Sequence, residues 1–372
     1  MKISVNIARI LVGVLFIFSG LVKANDPLGL SYKMQEFFEL WGMARFNSWT
    51  LTMSVLMNAF EIIAGVALLL GWRIRLFSWL LLLLIIFFTF LTGYAYFSGK
   101  FKNCGCFGDC LPISAKESFL KDIALLILIG FLFWKQKFIT PLFSNKVTTA
   151  LMVVATAFSF GFQWYTLTYL PIRDCLPFKK GKNITEQMKV PEGARPDSFA
   201  IRFIYAKDGK EFEFSPNELP ADLGNYKFVS RKDKLIAKGV DPAIRGFSLA
   251  TINNEDSTQI ILNQPYAVLL FCENFSVPVS KWQKSFSEVV AAAKSKNVPV
   301  YLVTTEPGKA PKEISGTSFA DIQVLKADYT AIRTAARTIP CVYVLKAGTI
   351  EGKWSRQNFD RATEILKAIP AQ

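Results

Sequence analysis

Apolar runs long enough to cross a bilayer fill the first 170 residues, and they limit what the chain can fold into. A hydrocarbon core of about 30 Å takes about 20 residues of helix. Five stretches meet that need: residues 5–22, 49–70, 74–97, 119–134 with the turn before it, and 147–170. Of the 372 residues, 51% are hydrophobic and 33 are Phe, which places the chain outside the range of ordinary soluble enzymes. After Pro171 the sequence becomes charged, β-rich and punctuated by Pro and Gly, so a soluble region begins there. The expected fold class is an α-helical membrane bundle, a four-helix core plus a fifth transmembrane helix, followed by a soluble α/β domain with a β-hairpin leader. The first run reads as a retained helix and not a cleaved signal, because polar sequence and four more runs follow it.

Lys and Arg in short loops set orientation. With the N-terminus cytoplasmic, Lys2, Arg73, Arg75, Lys135, Lys137 and Lys146 all fall on the inner side. The loops at 23–48 and 98–118, and everything after Pro171, then face outward. In a bacterial inner membrane that side is the periplasm, where disulfides persist. The net charge of +14 follows from orienting cations and a basic soluble half, so no nucleic-acid partner is implied, while membrane lipid or an acidic partner fits. No hydrolase, kinase or nucleotide-binding motif is present, and no inverted repeat marks a transporter.

Ionisable residues inside spans are costly and therefore informative. Glu61 lies twelve residues from Trp49, about 18 Å along its helix, and Arg9 fourteen from Lys23, about 21 Å. The matching depths predict that Arg9 and Glu61 share a polar pocket, either fixing helix register or serving a proton-linked or quinone-linked role. On the fourth span, Ser114 to Glu117 fits a capping box, with Glu117 and Lys121 as an i, i+4 pair. Asp122 then enters the membrane about two turns below the next loop; compensation of the helix dipole is its plainer account.

That loop, NCGCFGDC, holds three of the six cysteines in a chain with no histidine. Three chemistries are open to Cys104, Cys106 and Cys110. A metal or iron–sulfur site needs a fourth ligand, which only Asp109, Cys175 or a partner chain could give, and the spacing lacks C-x2-C, so no metal site is assigned. A structural disulfide could tie Cys106 to Cys110. In the redox alternative Cys104 and Cys106 exchange, since a bond spanning one residue is strained and more oxidising. Cys175 emerges beside the loop, and a Cys110 to Cys175 bond would fasten the fifth helix to the bundle. Four cysteines allow three pairings, which sequence does not separate.

RILVGVLFIFSGLVKANDP, NAFEIIAGVALLLGW and NCGCFG resemble the DoxX-like superfamily, in particular the branch of the methylamine utilisation protein MauE. The resemblance spans residues 1–135 and rests on Arg9, Ser19, Gly20, Lys23, Glu61, Gly65, Gly71, Cys104, Cys106 and Gly108. It implies a four-helix inner-membrane fold, a part in maturing a disulfide-rich periplasmic protein and, through DoxX relatives, thiosulfate and quinone electron transfer. It also raises the redox alternative for the loop.

The soluble half reads independently. FAIRFIYAKDGKEFEF is two alternating strands around an Asp208-Gly209 turn. GFSLATINN resembles the leader of periplasmic TlpA-type thioredoxin domains. The strand and helix order that follows, from YAVLLFC to a last helix at about 359–369, is thioredoxin-like. Thr338-Ile339-Pro340 matches the cis-proline position, and Phe275 to Val279 falls where the family has Trp-Cys-Gly-Pro-Cys. Ser276 and Val279 replace both thiols, so the domain at 245–372 is expected to be noncatalytic, with a groove beside Pro340 for binding. Cys272 and Cys341 are expected on neighbouring strands as small buried residues, with a cross-strand bond as the alternative.

Four segments result: the bundle at 1–135, a cytoplasmic loop and fifth helix at 136–170, a periplasmic linker and leader at 171–244, and the thioredoxin-like domain at 245–372. Two functions fit them. One is a thiol-redox component in periplasmic protein maturation or electron transfer, acting through Cys104 and Cys106 on a periplasmic client, with quinone as a candidate acceptor. The other is a noncatalytic scaffold with a stapled loop. Whether the protein is an enzyme, its client and its oligomeric state are not legible in the sequence.

Overall fold

The computed structural model describes residues 1–99, 108–111, 113–191, 193, 198–207, 210–220, 223–237 and 239–370. The membrane part consists of α1 (Lys2–Ala24), α2 (Pro27–Leu40), α3 (Thr50–Leu70), α4 (Ile74–Ser98), α5 (Ala115–Trp134) and α6 (Asn145–Tyr169). Helix α1 packs chiefly on α3, α4 on α5, and α6 on α3. The close pairing of α1 with α3 follows from glycine. A Cβ on Gly13 would stand 2.6 Å from the Leu69 side chain, and one on Gly65 would stand 2.7 Å from the Gly13 carbonyl oxygen. Small residues let transmembrane helices approach where no hydrophobic effect drives them together.

Helix α1, the stretch Ala44–Leu70, α4 and α6 are each long and apolar enough to cross a membrane. Their outward faces carry exposed Ile10, Val14, Leu83, Phe90, Val153 and Val154, an apolar belt suited to lipid. Helix α5 joins the same bundle, although Lys116, Glu117, Lys121 and Asp122 charge its first two turns. Its start is capped as the sequence predicts: Ser114 Oγ accepts from the Glu117 N–H at 3.3 Å, and the Ser114 N–H donates to Glu117 Oε2 at 2.9 Å.

One correction concerns residues 23–48, read above as a loop. They contain α2, with Pro27 in its first turn and Asp26 as N-cap, accepting from the Gly29 N–H at 3.1 Å. The helix is too short and polar to span a membrane, and it lies across the top of the bundle. Ser54 donates to the Pro27 carbonyl at 2.7 Å, and Ser31 and Thr50 share a hydrogen bond of 2.9 Å.

Beyond α6 come α7 (Ile184–Gln187) and the strands β1 (Ser198–Lys207), β2 (Lys210–Phe214) and β3 (Lys227–Ala237), which form an antiparallel sheet of order β2-β1-β3. Two of these strands are those predicted as a hairpin; the Asp208-Gly209 turn lies outside the described residues. The last region contains α8 (Thr258–Leu262), β4 (Tyr266–Phe271), α9 (Gln283–Lys294), β5 (Val300–Thr304), α10 (Ala310–Glu313), β6 (Gln323–Lys326), α11 (Tyr329–Ala335), β7 (Cys341–Lys346), β8 (Thr349–Ser355) and α12 (Phe359–Ala368). The sheet order is β6-β5-β4-β7-β8, with β4, β5 and β6 parallel and β7 and β8 antiparallel to them. The Ile339–Pro340 peptide bond is cis and opens β7. This is the thioredoxin-like arrangement.

Its central strands are buried on both faces and read as continuous apolar runs, YAVLLF and CVYVLK, as strands covered on both sides do. On one face Phe286 and Val289 of α9 and Leu366 of α12 fill the core; on the other Phe271, Leu325 and Tyr343 meet α11. Phe178 and Ile184 join that second core, so the segment directly after α6 packs onto the domain.

Candidate functional site

The bundle holds two buried charge clusters in place of the predicted Arg9–Glu61 pair. Arg9 donates to the carbonyls of Leu68 at 2.8 Å, Leu69 at 2.5 Å and Thr140 at 3.1 Å. It thereby caps the end of α3, whose last carbonyls lack helical partners. Glu61 is paired instead with Lys23, both almost fully buried. Equal depths for Arg9 and Glu61 would require Trp49 and Lys23 to stand level. They do not, because Gly13 meets Gly65 and Leu69 while Gly20 meets Ile62 and Asn58. The first turns of α3 therefore overshoot α1 and pack on α2. The Lys23 side chain, leaning back toward its own N-terminus as helical side chains do, reaches Glu61.

The second cluster is Asp122, 1% exposed, which accepts from Lys121 at 2.5 Å and from Thr92 Oγ1 at 3.0 Å. Between the clusters, Ser19, Glu61, Phe88, Lys121 and Asp122 line a small chamber of about 30 Å³. It adjoins a larger pocket of about 440 Å³ among α2, α3 and α4, walled by Met34, Phe37, Trp41, Leu56 and Phe87, with Lys23 and Thr92 at its polar end. Lys23 Nζ lies 5.1 Å from the centre of the Phe88 ring. Glu61 Oε2 is buried with no hydrogen-bond partner among the described residues.

Above the bundle the structure joins Cys110 to Cys175, with Cα atoms 4.8 Å apart. That bond leaves neither residue for the alternative pairing of Cys106 with Cys110, nor Cys175 as a metal ligand. Cys104 and Cys106 lie outside the described residues. Each half-cystine follows an aspartate, and the thioredoxin-like domain holds both aspartates: Arg337 reaches Asp109 at 2.8 Å, and Lys353 reaches Asp174 at 2.6 Å.

Arg337 also binds Asp26, the cap of α2, at 2.8 Å, and sits 5.4 Å from the centre of the Tyr32 ring. Burial lowers its pKa, but Asp26 and Asp109 outweigh this and raise it. One turn earlier, Arg333 joins Glu273 at 2.8 Å to Gln35 of α2 at 2.8 Å. Burial, with Glu273 adding to it, pushes the Tyr32 hydroxyl up to about 12. Asn25 completes the junction through two hydrogen bonds to the Arg173 backbone. A cavity of about 860 Å³ remains between α2 and α11, and Cys175 and Asp109 are part of its wall.

In the domain itself, Ser276 is exposed and Val279 is buried at the end of β4, near the cis peptide before Pro340. Cys272 and Cys341 are free buried thiols at the same end, on paired strands. Burial pushes both thiols up to about 12. A thiol held protonated is a poor nucleophile, so neither serves exchange.

Sequence reading named Lys23 as a helix end and as part of the family resemblance but missed its pairing with Glu61, and it missed Asp26, Tyr32, Arg333, Arg337 and Lys353 altogether. The one available signal was the repeated Asp-Cys dipeptide at 109–110 and 174–175.

No curated protein matches the chain. Two solved structures of yeast Sco1, one with copper bound, are similar to it at 15% identity and a TM-score of 0.27. They cover 34% of this chain and 95% and 94% of those chains. Residues 199–238, holding most of the β1–β3 sheet, match a domain of unknown function, DUF8463. The glycine-paired helices, the buried Lys23–Glu61 pair and the cysteine-bearing turn all fall within residues 1–135, which match a family model described as methylamine utilisation protein MauE.

Proposed function

We propose that this membrane protein is a thiol-redox component in the maturation of disulfide-bearing proteins outside the cytoplasm, exchanging through Cys104 and Cys106. The observation that carries the reading is the apolar pocket that ends at Lys23 and Lys121, each paired with a buried carboxylate, at the cysteine-bearing end of the bundle. The name of the matched family, methylamine utilisation, agrees with a service role to an enzyme system and assigns no substrate.

A lipid-soluble quinone fits this pocket, which offers aromatic and Met side chains for a ring and tail and Lys23, Thr92 and Lys121 at the polar end. Such a molecule supplies an acceptor for the two electrons and two protons released when two thiols become one disulfide. Lys23 and Glu61 form a buried ion pair at that end, and the second carboxylate oxygen of Glu61 has no hydrogen-bond partner among the described residues. The apolar wall keeps water from the pair, which strengthens every charge interaction at that end. The thioredoxin-like domain, without thiols at 276 and 279, binds the partner and does not exchange with it.

A cytoplasmic N-terminus and a periplasmic C-terminal domain accord with the cations at 73, 75, 135, 137 and 146 and with a disulfide at the opposite end of the helices. The test replaces Cys104 and Cys106 with Ser and follows protein abundance together with the free-thiol content of periplasmic proteins. Reduced clients should accumulate while abundance holds. Unchanged oxidation at normal abundance would defeat the redox reading and leave the scaffold, which the Cys110–Cys175 staple favours.

A further inference from the structure

The thioredoxin-like domain lacks its own thiol pair, yet the end of its sheet where that pair would stand is fastened to a disulfide between the turn before α5 and the segment after α6. Arg337, three residues before cis Pro340, grips Asp109 next to Cys110; Lys353, two residues from the end of β8, grips Asp174 next to Cys175. Both cations are buried, at 6% and 8% exposure. The half-cystines are themselves only half-buried. Cys175 forms part of the wall of the cavity of about 860 Å³, where Lys33, Arg333, Glu36 and Asp241 give a polar lining of mixed sign. Two buried cations of the thioredoxin-like domain and one large cavity thus converge on the aspartates and the sulfurs of a single disulfide.

We infer that this cavity is a thiol-exchange site in which Cys110–Cys175 is the reactive disulfide for a cysteine-bearing extended peptide, and that Arg337 and Lys353 are positioning residues that hold its two arms. The inference rests on the thiol-redox reading above. A peptide thiolate entering through the cavity attacks Sγ of Cys175. A bond forms between the peptide sulfur and Cys175, the Cys110–Cys175 bond breaks, and the electron pair leaves with Cys110, whose thiolate takes a proton from water. The second peptide thiolate then attacks its neighbour's sulfur and releases Cys175. The peptide has lost two electrons and gained a disulfide; the pair at 110 and 175 has gained them. Charged side chains of both signs beside apolar wall residues suit an extended peptide.

The full-length protein in detergent micelles, carrying Cys104→Ser and Cys106→Ser, is mixed with a synthetic peptide bearing two reduced cysteines. Peptide oxidation is followed together with maleimide labelling of Cys110 and Cys175. One peptide disulfide per protein should form as both residues become alkylatable. Arg337→Lys should keep the rate within about threefold, whereas Arg337→Met and Lys353→Met should each shift the oxidised-to-reduced ratio of the pair in glutathione buffers by about tenfold. A role in fold stability alone would leave that ratio unmoved and overturn the positioning role.

A peptide that stays reduced here, but is oxidised when Cys104 and Cys106 are present, overturns this inference and spares the function proposed above. A peptide that stays reduced in both overturns both. Should the double variant fail to fold, rapid alkylation of the unaltered protein with the peptide decides the matter. A mixed disulfide mapped to Cys175 supports the site, and one mapped only to Cys104 or Cys106 overturns it.

Discussion

Charge is held differently by the Lys23–Glu61 pair inside the bundle and by the cluster where the thioredoxin-like domain meets α2. Inside the bundle Glu61 has a single cation, Lys23, and one of its oxygens has no partner among the described residues. At the junction Arg337 is shared among Asp26, Asp109, the Arg333 carbonyl and the Tyr32 ring, and Asp109 is 44% exposed. The first cluster concentrates its electrostatics in one contact sealed from water. The second spreads the same chemistry over several acceptors with a solvent route at its edge. Attraction between charges is strongest where water is absent, and so is the penalty for leaving one of them alone. The bundle pair should therefore be brittle and the junction graded.

Glu61→Ala is the largest expected effect. It strands Lys23 in an apolar interior and should cost about 3–5 kcal/mol, read as a lower unfolding temperature in detergent and a lower level in membranes. The double change Lys23→Met, Glu61→Leu should recover most of that loss, because a packed apolar pair needs no desolvation. If the single variant were as stable as the unaltered protein, water would have to reach both groups and the contrast would dissolve.

Arg337→Met comes next, at about 1–3 kcal/mol, since it removes charged hydrogen bonds from partners that solvent can partly serve. Its effect should fall on docking and not on either half. Amide hydrogen exchange should quicken in α2 and α11 and stay unchanged in α4 and in β4. Protection lost evenly across the domain would mean that Arg337 holds the fold and not the junction.

The difference between the clusters also explains what the sequence let one see. Arg9 and Glu61 stood out because charges in apolar runs are costly, yet their partners depend on the stagger of α1 against α3. Gly13, Gly20 and Gly65 set that stagger, and a depth count along each helix does not contain it. Lys23 sat at a helix end, where a lysine usually marks the interface, so its fold-back to Glu61 was hidden. The thioredoxin-like region was readable because its strands are continuous apolar runs and its Ile339-Pro340 and Phe275–Val279 positions are local. The junction was not, since Arg337 lies 228 residues from Asp109 and 311 from Asp26. Helix α2 could have been found from Asp26-Pro27, a cap followed by a first-turn proline.

The smallest effect separates the junction from the domain beneath it by pH. The Tyr32 hydroxyl is pushed up to about 12 from its ordinary 10.0, first by burial and then by Glu273, with Arg337 and Arg333 opposing. Once the domain undocks, the hydroxyl ionises near its ordinary value, so the undocked state binds fewer protons between the two. Docking is at full strength below pH 10 and weakens as pH rises toward 12, by about 1 kcal/mol at pH 11. Cys272 and Cys341, raised from 9.0 to about 12, act in the same direction but on unfolding of the domain, beginning near pH 9. Hydrogen exchange in α2 and thermal unfolding of the domain, each followed from pH 8 to pH 11, should therefore respond to different substitutions. Tyr32→Phe should flatten the first profile and leave the second, and Cys272→Ala with Cys341→Ala should do the reverse. If one substitution flattened both, docking and domain folding would be a single cooperative event, and the junction could not act as a separate, graded contact.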